Sequence, residues 1–291
     1  GNDPIINKYK YEMTVQDKYD FGFVSRLHVL TVLNIILILS DPYLKEEREM
    51  DLSPLKNIEH IGDGFLYSHK QKAIDFSPLK KLKTIGKNFL RENPNIEIID
   101  LSSLIHLSEI GDHFAHRCGN LQTVIFNKNT NITSIGESFL SNCPSLKEIN
   151  IECLKNIESI PYDFLSGCIS LTNVIFPESM KHIKSIPSYF MLDSKNLKTI
   201  DLSCFSNVET IDPSFLARSG IETINLSKMT KLKNIYSGFM YDCKKLKTID
   251  LSDFSNVEII GNYFLQNCST LETIDLSNMT KVVRKSSCMK H

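Results

Sequence analysis

A curved solenoid of stacked coils, mainly β and at most α/β, is the fold this sequence predicts, and two columns of residues predict it. Phe65, Phe89, Phe114, Phe139, Phe164, Phe190, Phe215, Phe239 and Phe264 recur at a nearly constant interval of roughly 25 residues. An isoleucine stands four positions before each of them, from Ile61, Ile85, Ile110 and Ile135 through Ile160, Ile186 and Ile211 to Ile235 and Ile260. A period in this range means one supersecondary unit, too small to bury its own apolar face and therefore stacked on copies of itself.

The clearest copies read Leu-Lys-Thr-Ile-Asp-Leu-Ser from Leu197 and from Leu246, Ile-Glu-Thr-Ile-Asn-Leu-Ser from Ile221 and Leu-Glu-Thr-Ile-Asp-Leu-Ser from Leu271. Further copies begin near Glu47, Gln71, Ile96, Leu121, Leu146 and Leu171, which gives about nine to ten coils, the last incomplete. The copy from Leu171 carries one extra residue near positions 181–184. The LxxIxL segment alternates inward and outward like a strand, and the later apolar positions fit a second pass across the core. First strands of successive coils are expected in one parallel sheet about 4.8 Å apart, lining the concave face of a rod roughly 45 Å long.

The repeat unit resembles the BspA-like leucine-rich repeats of bacteria and protists, whose pattern runs LxxIxLPxxΦxxIGxxAFxxC. Ile135-Gly136, Phe139 and Cys143 followed by Leu146, Ile149 and Ile151 reproduce that spacing, as do Ile260-Gly261, Phe264 and Cys268 with Leu271, Ile274 and Leu276. The resemblance covers about residues 47–281, with two departures. Serine usually replaces the family's proline, which survives at Pro177, and Leu or Met follows the Phe where the family places Ala before it. It implies a leucine-rich-repeat solenoid acting as a non-enzymatic recognition scaffold, in several members a cell-surface adhesin.

Three segments follow. Residues 1–46 lie outside the repeat and read as an N-terminal cap over the first coil, 47–281 as the solenoid, and 282–291 as a basic tail. Within the cap, the apolar run 24–39 has the Ile and Val content of a strand and the length of a helix, so periodicity leaves both open. It is short for a membrane span and carries Arg26, His28 and Asn34. Unlike a secretory signal, it begins more than twenty residues into the chain, after mixed charge. No cap is evident after the last coil, so an exposed strand edge there is expected to support end-to-end homodimers. Cys288 stands fourth from the end with basic residues upstream, where a prenylation motif places its cysteine, although Lys290 and His291 depart from that motif. Membrane association is expected only through such a lipid.

A formal charge of −1, with 33 Lys and Arg against 34 Asp and Glu, gives no basic stripe for nucleic acid. Enzyme signatures are missing: there is no P-loop, Rossmann glycine pattern, HExxH or nucleophile elbow. His113 and His116 beside Asp112 are the closest histidine grouping, read as turn residues rather than a catalytic set. Of eight cysteines, Cys118, Cys143, Cys168, Cys243 and Cys268 share one repeat column, whose slot holds His69, Asn93, Ser194 and Ser219 in other coils. A small hydrogen-bonding residue at a turn fits that list better than disulfides or zinc, so no metal and no cofactor is expected. Reduced thiols point to a cytoplasmic setting, with the cell surface as the alternative. Sequons at Asn131, Asn225, Asn267 and Asn278 matter only in the second case.

The candidate site is the outward face of the first strands. One column there reads Asp51, Asp75, Asp100, Ile125, Asn150, Ile175, Asp201, Asn225, Asp250 and Asp275. Stacked carboxylates repel, by roughly 1 kcal/mol per pair even at the dielectric of water, and neighbouring Ser203, Ser227, Ser252 and Ser277 hydroxyls can offset part of this. Lys198, Glu222, Lys247 and Glu272 alternate one column away and place opposite charges on adjacent coils. The Asp ladder reads either as a device for solubility and register or as an acidic groove for a basic segment. Ile125 and Ile175 interrupt it, with uncharged Asn150 between them, and Ile98 joins them in the third coil. Facing outward, they form an apolar patch of the kind that receives a protein partner; a one-residue change of frame would turn them inward. Ile98, Ile125, Asn150, Ile175, Asp201, Asn225 and Asp250 are thus the candidate partner-binding residues, and Tyr162, Tyr189, Tyr236 and Tyr263 a possible aromatic edge.

Overall fold

The computed structural model describes residues 50–285, so the cap 1–46 and Cys288 lie outside the described residues. Each coil crosses the core twice, and every strand pair is parallel. The nine phenylalanines of the repeat form one continuous spine. Successive rings lie 5.2–5.9 Å apart and within 15° of coplanar from Phe65 to Phe264. Those contacts are eight steps of a β-solenoid, and the Ile column and the Leu columns flanking the spine are buried with it. No α-helix occurs among the described residues; short 3-10 turns such as Ser53–Leu55 and Ser203–Phe205 join the two passes.

The second pass carries the longer ladders. His60–Ile61, Thr84–Ile85, Glu109–Ile110 and Ser134–Ile135 make one sheet, and Ser185–Ile186, Thr210–Ile211, Asn234–Ile235, Ile259–Ile260 and Arg284–Lys285 make another. Two prolines account for the gap between them. In paired coils the residue after the Ile donates its N–H to the preceding coil, as Gly86 does to the Ile61 carbonyl at 2.8 Å and Gly111 to that of Ile85 at 2.8 Å. Pro161 and Pro187 occupy that slot in the fifth and sixth coils and have no N–H to give. Where glycine holds the slot the coils approach closely: a Cβ on Gly136 would lie 2.3 Å from the Asp112 backbone nitrogen. The second ladder reaches Arg284–Lys285, inside the stretch that the sequence alone presents as a tail.

The first pass departs from a single continuous sheet. Ile98–Leu101 pairs with Thr123–Phe126, Glu148–Asn150 with Asn173–Ile175 and Thr223–Ile224 with Thr248–Ile249, while Asp201 and Asn225 form an isolated bridge. The Asp column turns the chain at the end of these strands. Its side-chain oxygen accepts the N–H two residues on, at 2.8 Å for Asp51 to Ser53, 2.9 Å for Asp100 to Ser102 and 2.8 Å for Asp201 to Ser203. Asn150 and Asn225 do the same for Glu152 and Ser227. These are Asx turns, and they lead the chain out of the strand after two to four residues. They also offset charge, since the Ser53 hydroxyl and N–H hold the Asp51 carboxyl below its ordinary range, as Ser252 and Ser277 do for Asp250 and Asp275.

The turn around each Phe is built from left-handed residues at alternate positions. Ser138, Leu140 and Asn142 have φ of 55°, 54° and 57°, and the same triplet recurs in other coils. Their amides offset the strain by reaching neighbouring coils in alternate directions: Ser138 donates to Tyr162, Leu140 back to Phe114, and Asn142 forward to Ser166. The carbonyl of the central residue is then closed by the cysteine column. The thiols of Cys118, Cys143, Cys168, Cys243 and Cys268 donate to the carbonyls of Leu90, Ala115, Leu140, Leu216 and Met240 at 3.1–3.2 Å, and Asn93 does so for Leu66.

Candidate protein-recognition face

The first-pass strands hold the exposed isoleucines outward. Ile98, Ile125 and Ile175 are 46%, 40% and 43% exposed, whereas their strand neighbours Ile99, Val124 and Val174 are buried, so the frame that turns them inward is excluded. Register sets their spacing. Ile98 lies opposite Thr123 and Asp100 opposite Ile125, and one pair along, Asn150 lies opposite Ile175. The Lys147 N–H donated to the Gln122 carbonyl keeps the same frame between those pairs, which puts Asn150 beside Ile125.

Ile125, Asn150 and Ile175 border one cleft of about 330 Å³, with Thr123, Lys128 and Glu148 on its walls and buried Cys153 at its base. Ile98 sits diagonally beside Ile125, outside the cleft lining. Asp201, Asn225 and Asp250 continue the column as exposed residues but do not border it. Two residues that sequence reasoning passed over support the patch. As Phe76 does in the second coil, Phe126 and Phe176 replace the Leu or Ile of the other coils; they are half-buried and lean on the spine, Phe126 at 6.3 Å from both Phe114 and Phe139, and Phe176 at 6.4 Å from Phe164 and 6.2 Å from Phe190. The signal was present, since Val-Ile-Phe stands for Ile-Asp-Leu in the same two coils that lose their Asp. In the first of these coils the Asx turn moves to Asn127, which accepts from the Asn129 N–H at 2.9 Å.

Elsewhere on the surface the charges pair between coils. Glu222 meets Lys247 at 2.6 Å and Lys198 at 3.9 Å, and Lys83–Glu59 and Lys233–Glu209 repeat the arrangement. Tyr162 and Tyr189 pack edge to face at 5.2 Å, whereas Tyr263 pairs with Tyr241 at 5.7 Å, so the tyrosines form separate pairs rather than one edge.

His113 and His116 pack against each other at 5.5 Å. Burial, helped by the Arg91, His113 and Arg117 charges, lowers the His116 pKa to about 4. Asp112 is held below its ordinary range, against burial, by the Lys87 ammonium and the Glu137 N–H. Among the described residues no set of three or more His, Cys, Asp or Glu is placed to hold a metal ion. His116 does carry a stability signature. Its folded pKa lies below the unfolded value near 6.5, so the unfolded chain binds the extra proton as pH falls. The contribution is complete above pH 6.5 and is lost between 6.5 and about 4, amounting to about 3 kcal/mol at most. Urea midpoints across that window should fall less steeply in His116→Gln than in the native chain; parallel slopes would contradict the assignment.

All seven described cysteines are free and buried. Burial raises the thiols of Cys118 and Cys168 to about 12 and holds that of Cys143 well above its ordinary value. Hydrogen bonds from Cys268 and Ser219 lower the Cys243 thiol instead; burial of all seven shields them from reagents whatever the compartment. The inference from reduced cysteine to a cytoplasmic setting therefore loses its basis.

The stacked parallel coils, the Ile-Gly turn and the Phe and Cys columns together define a leucine-rich-repeat solenoid. The chain belongs to the BspA type leucine rich repeat region family, which matches in six copies over residues 50–160 and 184–290. Among solved structures it is similar to a leucine-rich repeat protein from Bacteroides ovatus, at 18% identity over 76% of this chain and 65% of that one, TM-score 0.44. It is also similar to the functional domain of InlJ from Listeria monocytogenes, described as including a cysteine ladder, at 16% identity over 80% and 49%, TM-score 0.34. A leucine rich cell surface protein from Faecalibacterium prausnitzii matches at 14% identity over 79% and 81%, TM-score 0.22. The chain spans less than two thirds of the length of the first two. No curated protein matches it. Nothing in these relatives supports a cytoplasmic setting, and no helix among the described residues is long and apolar enough to cross a membrane.

Proposed function

We propose that this chain is a non-enzymatic scaffold that binds a protein partner on the outer face of its first-pass strands, centred on Ile125, Asn150 and Ile175 with Ile98 alongside. The observation that carries the reading is the exposure of three isoleucines on one face, two of them bordering one cleft. Exposed apolar side chains on a rigid support lose little conformational freedom on binding and gain burial, which is how interface centres are built. The family's coils put their apolar columns to use in packing, and their outward columns are free to carry recognition.

Affinity capture from the source cell, with the native chain and with Ile98, Ile125 and Ile175 all changed to Asp, tests this. Circular dichroism first establishes that both fold. Partners retained by the native chain and lost from the variant are expected; an unchanged partner set contradicts the assignment. Glycan at exposed Asn131 or Asn267 would place the interaction outside the cell, and unmodified chain in the cytosolic fraction would place it inside.

A further inference from the structure

The column that holds the apolar patch is symmetric along the stacking axis. It runs Asp100, Ile125, Asn150, Ile175, Asp201, one residue per coil. Each end carboxylate spends one oxygen on its Asx turn, Asp100 at 2.9 Å from the Ser102 nitrogen and Asp201 at 2.8 Å from that of Ser203. Both residues are exposed, and neither carboxylate has a Lys or Arg partner among the described residues. The neighbouring column behaves oppositely, for Glu97 lies 3.9 Å from Lys72 and Glu222 is matched by Lys198 and Lys247 of adjacent coils. The cleft lining holds one residue of each charge, Lys128 and Glu148. Asp100 and Asp201 thus place a negative charge outside each isoleucine, and the Glu152 carboxylate, which accepts from the Asn150 amide at 3.2 Å, adds another between them.

Spacing narrows the ligand further. Two coils separate Ile125 from Ile175, about 9.6 Å at the usual parallel-strand spacing. A β-strand ligand cannot place side chains on one face at that distance, because its faces repeat every two residues, near 6.6 Å or 13 Å. A polyproline-II segment repeats every three residues at about 9.3 Å, which matches. Building on the proposed recognition face, we infer that it takes an extended polyproline-II-like protein segment lying along the stacking axis. Two apolar side chains three residues apart seat against Ile125 and Ile175, and a Lys or Arg within two residues outside each one meets Asp100 or Asp201. Asn150, between the isoleucines, carries no charge to desolvate.

The test uses a library of fluorescent peptides in the frame Lys-x-Leu-x-x-Leu-x-Lys, with proline and other residues at x. Matched sets carry Glu for Lys, or bring the leucines one residue closer or farther apart. Selection on the full chain should enrich the basic frame with three-residue spacing. The best peptide should bind about fivefold more weakly to Asp100→Asn/Asp201→Asn, with a shallower salt dependence. Asparagine keeps the turn, as it does at Asn150 and Asn225, so folding is preserved. Enrichment of the acidic frame or of another spacing, no enrichment at all, or equal affinity for the Asn variant would overturn the inference. If captured partners are lost from the Ile→Asp variant but kept by the Asn variant, the recognition face stands and this ligand chemistry falls. If neither variant loses them, both fall.

Discussion

Replacing Phe139 by alanine is expected to cost about 3 to 5 kcal/mol and to divide the solenoid at its middle. The ring is fully buried, stacked at 5.4 Å on Phe114 and 5.9 Å on Phe164, with Phe126 at 6.3 Å. Truncation removes three aromatic contacts and leaves a cavity that rigid coils on both sides cannot close. In a stack where each coil touches only its neighbours, the loss falls on the adjoining coils. Amides of the third to fifth coils should then exchange faster than those near Phe239. The end of the spine is the control, since Phe264 stacks on Phe239 alone among the described rings and its truncation should cost less. Urea unfolding with hydrogen exchange reads both effects, and equal costs at Phe139 and Phe264 would contradict the nearest-neighbour account.

The second large effect comes from a substitution that conserves volume. Leu140→Ile is expected to cost about 2 to 3 kcal/mol, although both side chains are aliphatic and the same size. Leu140 has φ of 54°, where a β-branched side chain crowds its own backbone. Its column reads Leu66, Leu90, Ala115, Leu140, Leu165, Met191, Leu216, Met240 and Leu265, all at positive φ and none β-branched. Six residues on, Leu146 is equally buried at a position without positive φ. Leu146→Ile should cost less than about 1.5 kcal/mol. Thermal or urea denaturation of the two variants side by side checks the difference. Similar costs would mean that packing, not backbone conformation, selects the residue.

That column marks the boundary of what the sequence makes legible. Hydrophobic periodicity reports burial, so the Phe, Ile and Leu columns and the two passes could be read from it, whereas the frame of Ile98, Ile125 and Ile175 stayed open until the burial of Ile99, Val124 and Val174 fixed it. The sign of φ leaves no mark on hydropathy. Leu or Met after Phe therefore looks like a departure from the family pattern, when its meaning lies in the β-branched residues that are missing. The Asp column was legible as a position but not as a turn: its partner is the backbone N–H of the residue two on, which every sequence has. Continuity of the ladders was hidden for a related reason. Pro161 and Pro187 each matter only because their slot in the stack requires a donor. For the candidate site, the isoleucines were visible one by one. Their union in a cleft depends on the register of the stacked coils, with Phe126 among the lining residues.

The central claim is that the first-pass face around Ile175 is where a protein partner sits. A photo-crosslinking residue placed at Asn173, exposed on that face and lining the cleft, tests it directly against one placed at exposed Tyr67, which lies in a Phe turn. Irradiation in the source cell should give a discrete higher-mass adduct from position 173, lost when Ile125 and Ile175 are changed to Asp, and none from position 67. Adducts from position 67 alone, or adducts from 173 that survive the Asp changes, would contradict the claim.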